Sequence, residues 1–301
     1  MPTMANDKMM AQMHSKGGFI AALDQSGGST PGALRLYGIQ ESAYSGDAEM
    51  FKLIHDMRVR IITAPHFTGD KVIGAILFEG TMDGEAKGRA VPSFLWEDRG
   101  VVPFLKIDKG LEPEKDGVQM MRPIPGLDGL LTRAGKLGVY GTKERSVINL
   151  ASKTGIAAVV NQQFEVAKQV CAHAMVPIIE PEVSIKSPDK KGAEAILCDE
   201  IMKHLDADPN GPPVMLKVTI PDVSDLYAPV IAHKRMVRVV ALSGGYTRTD
   251  ACERLAKNHG MIASFSRALI GDLRNQMSDA EFDASIATAI NEIYKASTDK
   301  N

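Results

Sequence analysis

Residues 214–220 read VMLKVTI, an apolar run with one charge, Lys217, at its centre. A strand covered on both faces is close to continuously apolar, as in parallel sheets flanked by helices. A lysine in such a strand needs a partner or a task, because an unpaired buried charge is costly. The run therefore bears on both fold and function. Working outward, seven further runs have the same character: 18–25, 74–82, 101–110, 139–150, 176–183, 236–245 and 261–269.

Helical patterns fill most of the gaps. In 161–174, Val166, Val170 and Ala174 recur four apart. In 189–206, Ala193, Leu197, Ile201 and Leu205 do the same. The segment 278–296 opens with Ser278 and Glu281 at capping-box spacing, then lines up Phe282, Ile286, Ile290 and Ile293. Eight strands alternating with helices, without a break in composition, predict an α/β chain folded as a (β/α)8 TIM barrel, one domain over 1–301. An open doubly wound sheet is the alternative. VRIITA at 59–64 is strand-like in composition, but it continues the helical pattern of 48–57 and meets Pro65. It is read as a helix end running into a loop; a ninth strand there would break the count. The polar, glycine-rich segment 84–92 is read as a surface loop.

The net charge of −2 provides no global field for nucleic acid or an anionic membrane. No apolar run is long enough to span a bilayer, and the polar, methionine-rich first sixteen residues lack a secretory signal's apolar core. Cys171, Cys198 and Cys252 form no paired spacing, so neither a disulfide framework nor a structural zinc site is expected. The cytoplasm is the expected location, without nucleic-acid or membrane partners, and homo-oligomerisation is left open.

A barrel does its chemistry at the C-terminal ends of its strands. Polar residues cluster there: Asp24-Gln25-Ser26, then Lys106, Asp108 and Lys109, then Lys143, Glu144 and Arg145. Glu180 and Glu182 follow, then Lys217, Ser243-Gly244-Gly245, and finally Ser266 and Arg267. Any one of them reads more simply as a solvated or salt-bridged residue. Their recurrence at one end of most strands points instead to a single mouth. Among apolar neighbours, Lys217 is expected to lose ammonium stability by desolvation, and further through a nearby cation such as Lys143. A neutral amine attacks a ketone to give an iminium, an electron sink that lets the adjacent carbon–carbon bond break. Glu180 and Asp24 are the candidate proton carriers. The glycine turn offers unobstructed N–H groups, and with Arg267 it suggests a phosphate site after strands seven and eight.

These residues lie in segments that together resemble the class I fructose-1,6-bisphosphate aldolases, in their shorter bacterial form. The segments are AALDQSGGST, GAILFEGTMDG, PFLKIDKGL, GLDGL, YGTKERSVI, VPIIEPEV, MLKVTI, ALSGG and FSRAL, in family order from Ala21 to Leu269. The resemblance implies cleavage of a phosphorylated ketose into trioses through a lysine Schiff base, with no cofactor and no metal. It implies that Lys217 is the Schiff-base lysine and Glu180 the general acid/base. Lys143 is then the second active-site lysine, Asp24 the carboxylate that assists at the C4 hydroxyl, and Glu182 a support of the lysine network. Ser243, Gly244 and Arg267 match the C1-phosphate site, and Ser26, Lys106 and Arg145 the C6-phosphate contacts.

Two departures stand out. Animal members carry Asp-Glu-Ser on strand one, where this chain has Asp24-Gln25-Ser26. They also end in a long tail with a tyrosine that assists proton exchange; Tyr294 falls within a helix pattern here and is not given that role. A tagatose bisphosphate or single-phosphate ketose remains open as substrate. A metal-dependent aldolase would need converging histidines, and none of the seven lies in a strand run. A purely structural role fits poorly with so many charges in one barrel mouth.

Overall fold

The computed structural model describes residues 4–301. Eight strands form a parallel sheet in chain order: β1 Phe19–Leu23, β2 Val72–Leu77, β3 Val102–Lys106, β4 Gly141–Ile148, β5 Val176–Val183, β6 Val214–Thr219, β7 Met236–Leu242 and β8 Met261–Ala263. The backbone N–H of Ala22 donates to Phe265 O at 3.1 Å, which brings the last strand's extension back to the first and closes the barrel. The principal helices are α1 Met4–Ser15, α2 Thr30–Leu36, α3 Gly46–Thr63, α4 Leu127–Lys136, α5 Lys153–Ala172, α6 Lys190–Ala207, α7 Arg248–Ala256 and α8 Asp279–Thr298.

Period-two alternation sorts the strand residues into two cores. Outward-facing Leu216, Val218, Ile179 and Val183 join the helix stripes in the larger apolar cluster. Inward-facing Ile20, Ala22, Val102, Phe104, Val176, Ile178 and Met215 fill the lower barrel in a second cluster, closed beneath by Met9 and Met13 of α1. One residue pair higher, the same inward series becomes ionic: Asp24, Lys106, Glu180 and Lys217 follow Ala22, Phe104, Ile178 and Met215. The apolar lower layers are thus a packed base on which the charges stand.

Gly141 belongs to this design. A Cβ there would lie 2.1 Å from Val176 O and 3.0 Å from the Phe104 ring. Only glycine lets Phe104 fill the barrel directly below Lys143.

All eight expected strands are present; β5 spans its whole run, β2 begins two residues early at Val72, and the others are shorter than expected. Residues 59–64 run on helically to Thr63, as read. The largest difference is at the eighth strand, expected over 261–269. It stops at Ala263, and Ser266 turns to φ −106°, ψ −85°, so Arg267 opens the short helix Arg267–Ile270. Segment 84–92 is more ordered than a plain loop. Glu85–Ala86 pairs with Arg89–Ala90 around Lys87 and Gly88, both at positive φ, and Ala86 is buried. The capping box at Ser278 is formed in both directions.

Candidate active site

The mouth at the strands' C-terminal ends is a cavity of about 840 Å³. Every residue singled out for catalysis or phosphate binding lines it: Asp24, Ser26, Lys106, Lys143, Arg145, Glu180, Glu182, Lys217, Ser243, Gly244 and Arg267.

Four of them form a continuous ionic chain. Lys143 Nζ lies 2.6 Å from Asp24 Oδ2 and 2.9 Å from Glu180 Oε2, and Lys217 Nζ lies 3.1 Å from Glu180 Oε1. One carboxylate thus stands between two ammonium groups. All four residues are buried. Strand register explains the meeting, because β4 sets Arg145 level with Glu180 and β5 sets Ile178 level with Met215. Lys143 approaches Glu180 Oε2 off the hydrogen-bonding direction, which leaves that oxygen buried without an aligned donor.

Electrostatics follows the pairing. Burial pushes the Glu180 carboxyl up, but the Lys143 and Lys217 ammonium groups outweigh it and hold the carboxyl below its usual range. Asp24 is held low in the same way, against burial, mainly by Lys143 and then Lys217. Burial disfavours the Lys143 ammonium, yet Asp24, Glu180 and Asp108 together raise its pKa well above the usual lysine value. Glu180 and Glu182 lie two residues apart on β5, and two carboxylates crowded together repel unless a cation intervenes. Cations intervene at both. Glu182 Oε2 accepts from Arg145 Nε, so its partner is an arginine rather than a lysine of the network.

Basic residues stand on two sides of the chain. Gly244 and Gly245 have φ of +60° and +116°, and a Cβ built on Gly245 would lie 3.6 Å from Arg267 Nη2. Arg267 is exposed and has no side-chain partner among the described residues. Across the mouth, Lys106 Nζ donates to Asp108 Oδ1 at 2.5 Å and Asp108 O at 3.0 Å, beside Arg145 and Ser26. Both groups line the same cavity as the ionic chain.

Other residues fall outside the mouth or join it unannounced. Lys109 turns away to pair with Glu79. Glu144 points into the strand–helix layer, where burial pushes its carboxyl well up. Tyr294 packs near Gly17 and Lys71, ahead of β1 and β2, at the barrel's opposite end. Asp108 was visible in the sequence as a polar strand-end residue without a role; here it ties Lys106 to the backbone N–H of Arg145. Gln163 was not foreseen. Its Oε1 accepts from the N–H of Glu180 at 3.1 Å, just where β5 parts from β6, and its amide nitrogen donates to Ser146 Oγ at 3.1 Å. Arg58 was also missed: it is fully buried behind β1.

Known proteins resemble this chain in sequence and in fold. The family model for class-I fructose-bisphosphate aldolase matches residues 8–202. A curated relative from Synechocystis sp. named fructose-bisphosphate aldolase class 1 is 54% identical over 292 residues, covering 97% of each chain. One of the same name from Porphyromonas gingivalis is 52% identical, covering 97% of this chain and 99% of its own. Among solved structures, fructose-bisphosphate aldolase from Plasmodium falciparum superposes with a TM-score of 0.75 at 20% identity, over 99% of this chain and 96% of that one. That likeness bears on the fold alone. With the family model and near-full-length relatives above half identity, this chain belongs to the class I fructose-bisphosphate aldolases.

Proposed function

We propose that this chain reversibly cleaves fructose 1,6-bisphosphate into dihydroxyacetone phosphate and glyceraldehyde 3-phosphate, with Lys217 forming the covalent iminium. The observation that carries the residue assignment is the sharing of Glu180 between Lys217 and Lys143. Family membership supports the substrate.

The Lys217–Glu180–Lys143 contacts support the proton transfers of iminium formation. Lys217 becomes a nucleophile by giving a proton to Glu180 Oε1 along their 3.1 Å contact. Attack on the C2 ketone gives a neutral carbinolamine. At that point Glu180 has lost one neighbouring cation, so its affinity for a proton rises when it must act as an acid. It protonates the departing hydroxyl, water leaves, and the iminium forms. Asp24 takes the C4 hydroxyl proton as the C3–C4 bond breaks and its electron pair enters the iminium. Lys143, held charged between Asp24 and Glu180, stabilises the negative charge passed between them. Ser243, Gly244 and Arg267 would hold the C1 phosphate, and Ser26, Lys106 and Arg145 the C6 phosphate. Glu182 fixes Arg145 for that task.

We read residues 1–301 as one domain acting in a reducing cytoplasm, in keeping with three unpaired cysteines. The test is borohydride reduction with dihydroxyacetone phosphate, followed by peptide mass mapping. The adduct is expected on Lys217 and should vanish in Lys217→Ala. An adduct on another lysine, or none in the parent, would overturn the assignment.

A further inference from the structure

Behind the end of β1, Arg58 is fully buried, and none of the ion pairs among the described residues includes it. Its guanidinium donates to Thr81 Oγ1 at 2.8 Å, to the backbone oxygen of Gln25, and to Gln25 Oε1 at 3.3 Å. A guanidinium has only donors, so the amide of Gln25 must turn its oxygen toward Arg58. That fixes the amide nitrogen on the other side, where it donates to Ser266 Oγ at 2.6 Å. Ser266 is therefore an acceptor in this contact. Its own proton has no acceptor among the described residues, and the residue lines the cavity beside Ser243, Gly244 and Arg267.

We infer that Gln25 is a positioning residue that makes Ser266 a hydrogen-bond donor to the ligand's phosphate, with Arg58 setting the direction of the relay. The inference rests on the reading that Ser243, Gly244 and Arg267 hold a phosphate. A carboxylate in place of the amide would reverse the relay. It would pair with Arg58 as an ion pair and accept the Ser266 proton, withdrawing that proton from the ligand. Gln25 thus trades a stronger internal contact for an oriented hydroxyl. It also links the loops after the first and last strands, 241 residues apart in sequence.

Gln25→Glu separates this role from a structural one, because stability and binding should move in opposite directions. Calorimetric titration with inorganic phosphate is run on the parent, Gln25→Glu, Ser266→Ala, the double variant and Arg267→Ala, with melting temperatures alongside. Gln25→Glu and Ser266→Ala should each weaken phosphate binding about fivefold or more. The double variant should bind no more weakly than the worse single. Gln25→Glu should melt at or above the parent temperature, and its KM for the bisphosphate should rise by a larger factor than its kcat falls. Parent-like phosphate binding in Gln25→Glu, with Arg267→Ala weakened, overturns the relay while sparing the phosphate site. So does a double variant whose losses multiply, since that would mean simple charge repulsion. Parent-like binding in Arg267→Ala removes the phosphate site and this inference together. If Gln25→Glu does not fold, Ser266→Ala decides alone, since it removes only the hydroxyl; unchanged phosphate binding there overturns the proposal.

Discussion

Glu180 differs from Glu182 by its company. Both face the mouth, two residues apart on β5, but Glu180 touches two lysines and Glu182 one arginine. Glu180→Gln is expected to slow iminium formation and cut kcat by about 10²-fold or more. Glu182→Gln should act mainly on KM through Arg145. Equal effects of the two in stopped-flow trapping and steady-state assays would erase the distinction. Arg267→Ala is expected to raise KM for the bisphosphate by about tenfold or more, as a charge-assisted phosphate contact is lost. Lys143→Met has a signature in pH. In the parent, the depressed Asp24 and Glu180 carboxyls contribute stability that is present above the unfolded carboxylate value, about 4, and is lost as pH falls through their lower folded values. Removing the cation between them leaves two facing buried carboxylates, and at least one should then titrate above its unfolded value. A folded state that binds more protons than the unfolded one gains stability as pH falls. The melting temperature of Lys143→Met should therefore rise more from pH 7 to pH 5 than the parent's, since the raised Glu144 carboxyl acts alike in both. A parallel pair of curves would count against the coupling.

At the scale of elements, the strands were legible because covered parallel strands and amphipathic helices leave different periods in the sequence. The alternation of Ile20, Ala22 and Asp24, or of Val176, Ile178 and Glu180, even shows where packing gives way to chemistry. What was hidden has physical causes. The turn from β8 into the short helix at Arg267 depends on the dihedral angles of Ser266, which composition does not encode. Arg58 sits in a helix whose other charges are mostly solvated, and an arginine there looks like one of them. Gln163 acts on a backbone group left over by diverging strands, a need that exists only in three dimensions. Gly141 was readable as a glycine but not as a necessity. Gly141→Ala should cost about 1–3 kcal/mol as β4 and β5 are pushed apart. Ser278→Ala, which removes only a helix cap, should cost ~1 kcal/mol. Urea denaturation of the two variants would show whether they rank in that order.

The whole molecule is asymmetric along the barrel axis, ionic above and apolar below, with α1 as its floor. Met9 and Met13 enter the lower core, Gln12 Nε2 donates to Ile73 O and Gly100 O at 2.8 Å each, and Arg238 Nε donates to Met13 O at 2.7 Å. Met13→Ala should cost about 2–5 kcal/mol, as expected for a fully buried side chain. Because α1 binds to strands from both halves of the chain, its site does not exist until those strands are in place. The contact with Arg238 spans 225 residues. At a ribosomal pace of ~5–20 residues per second, that interval lasts roughly 10–45 s. Helix α1 is thus synthesised well before its seat is complete. Meanwhile its methionines are available to whatever meets a nascent chain.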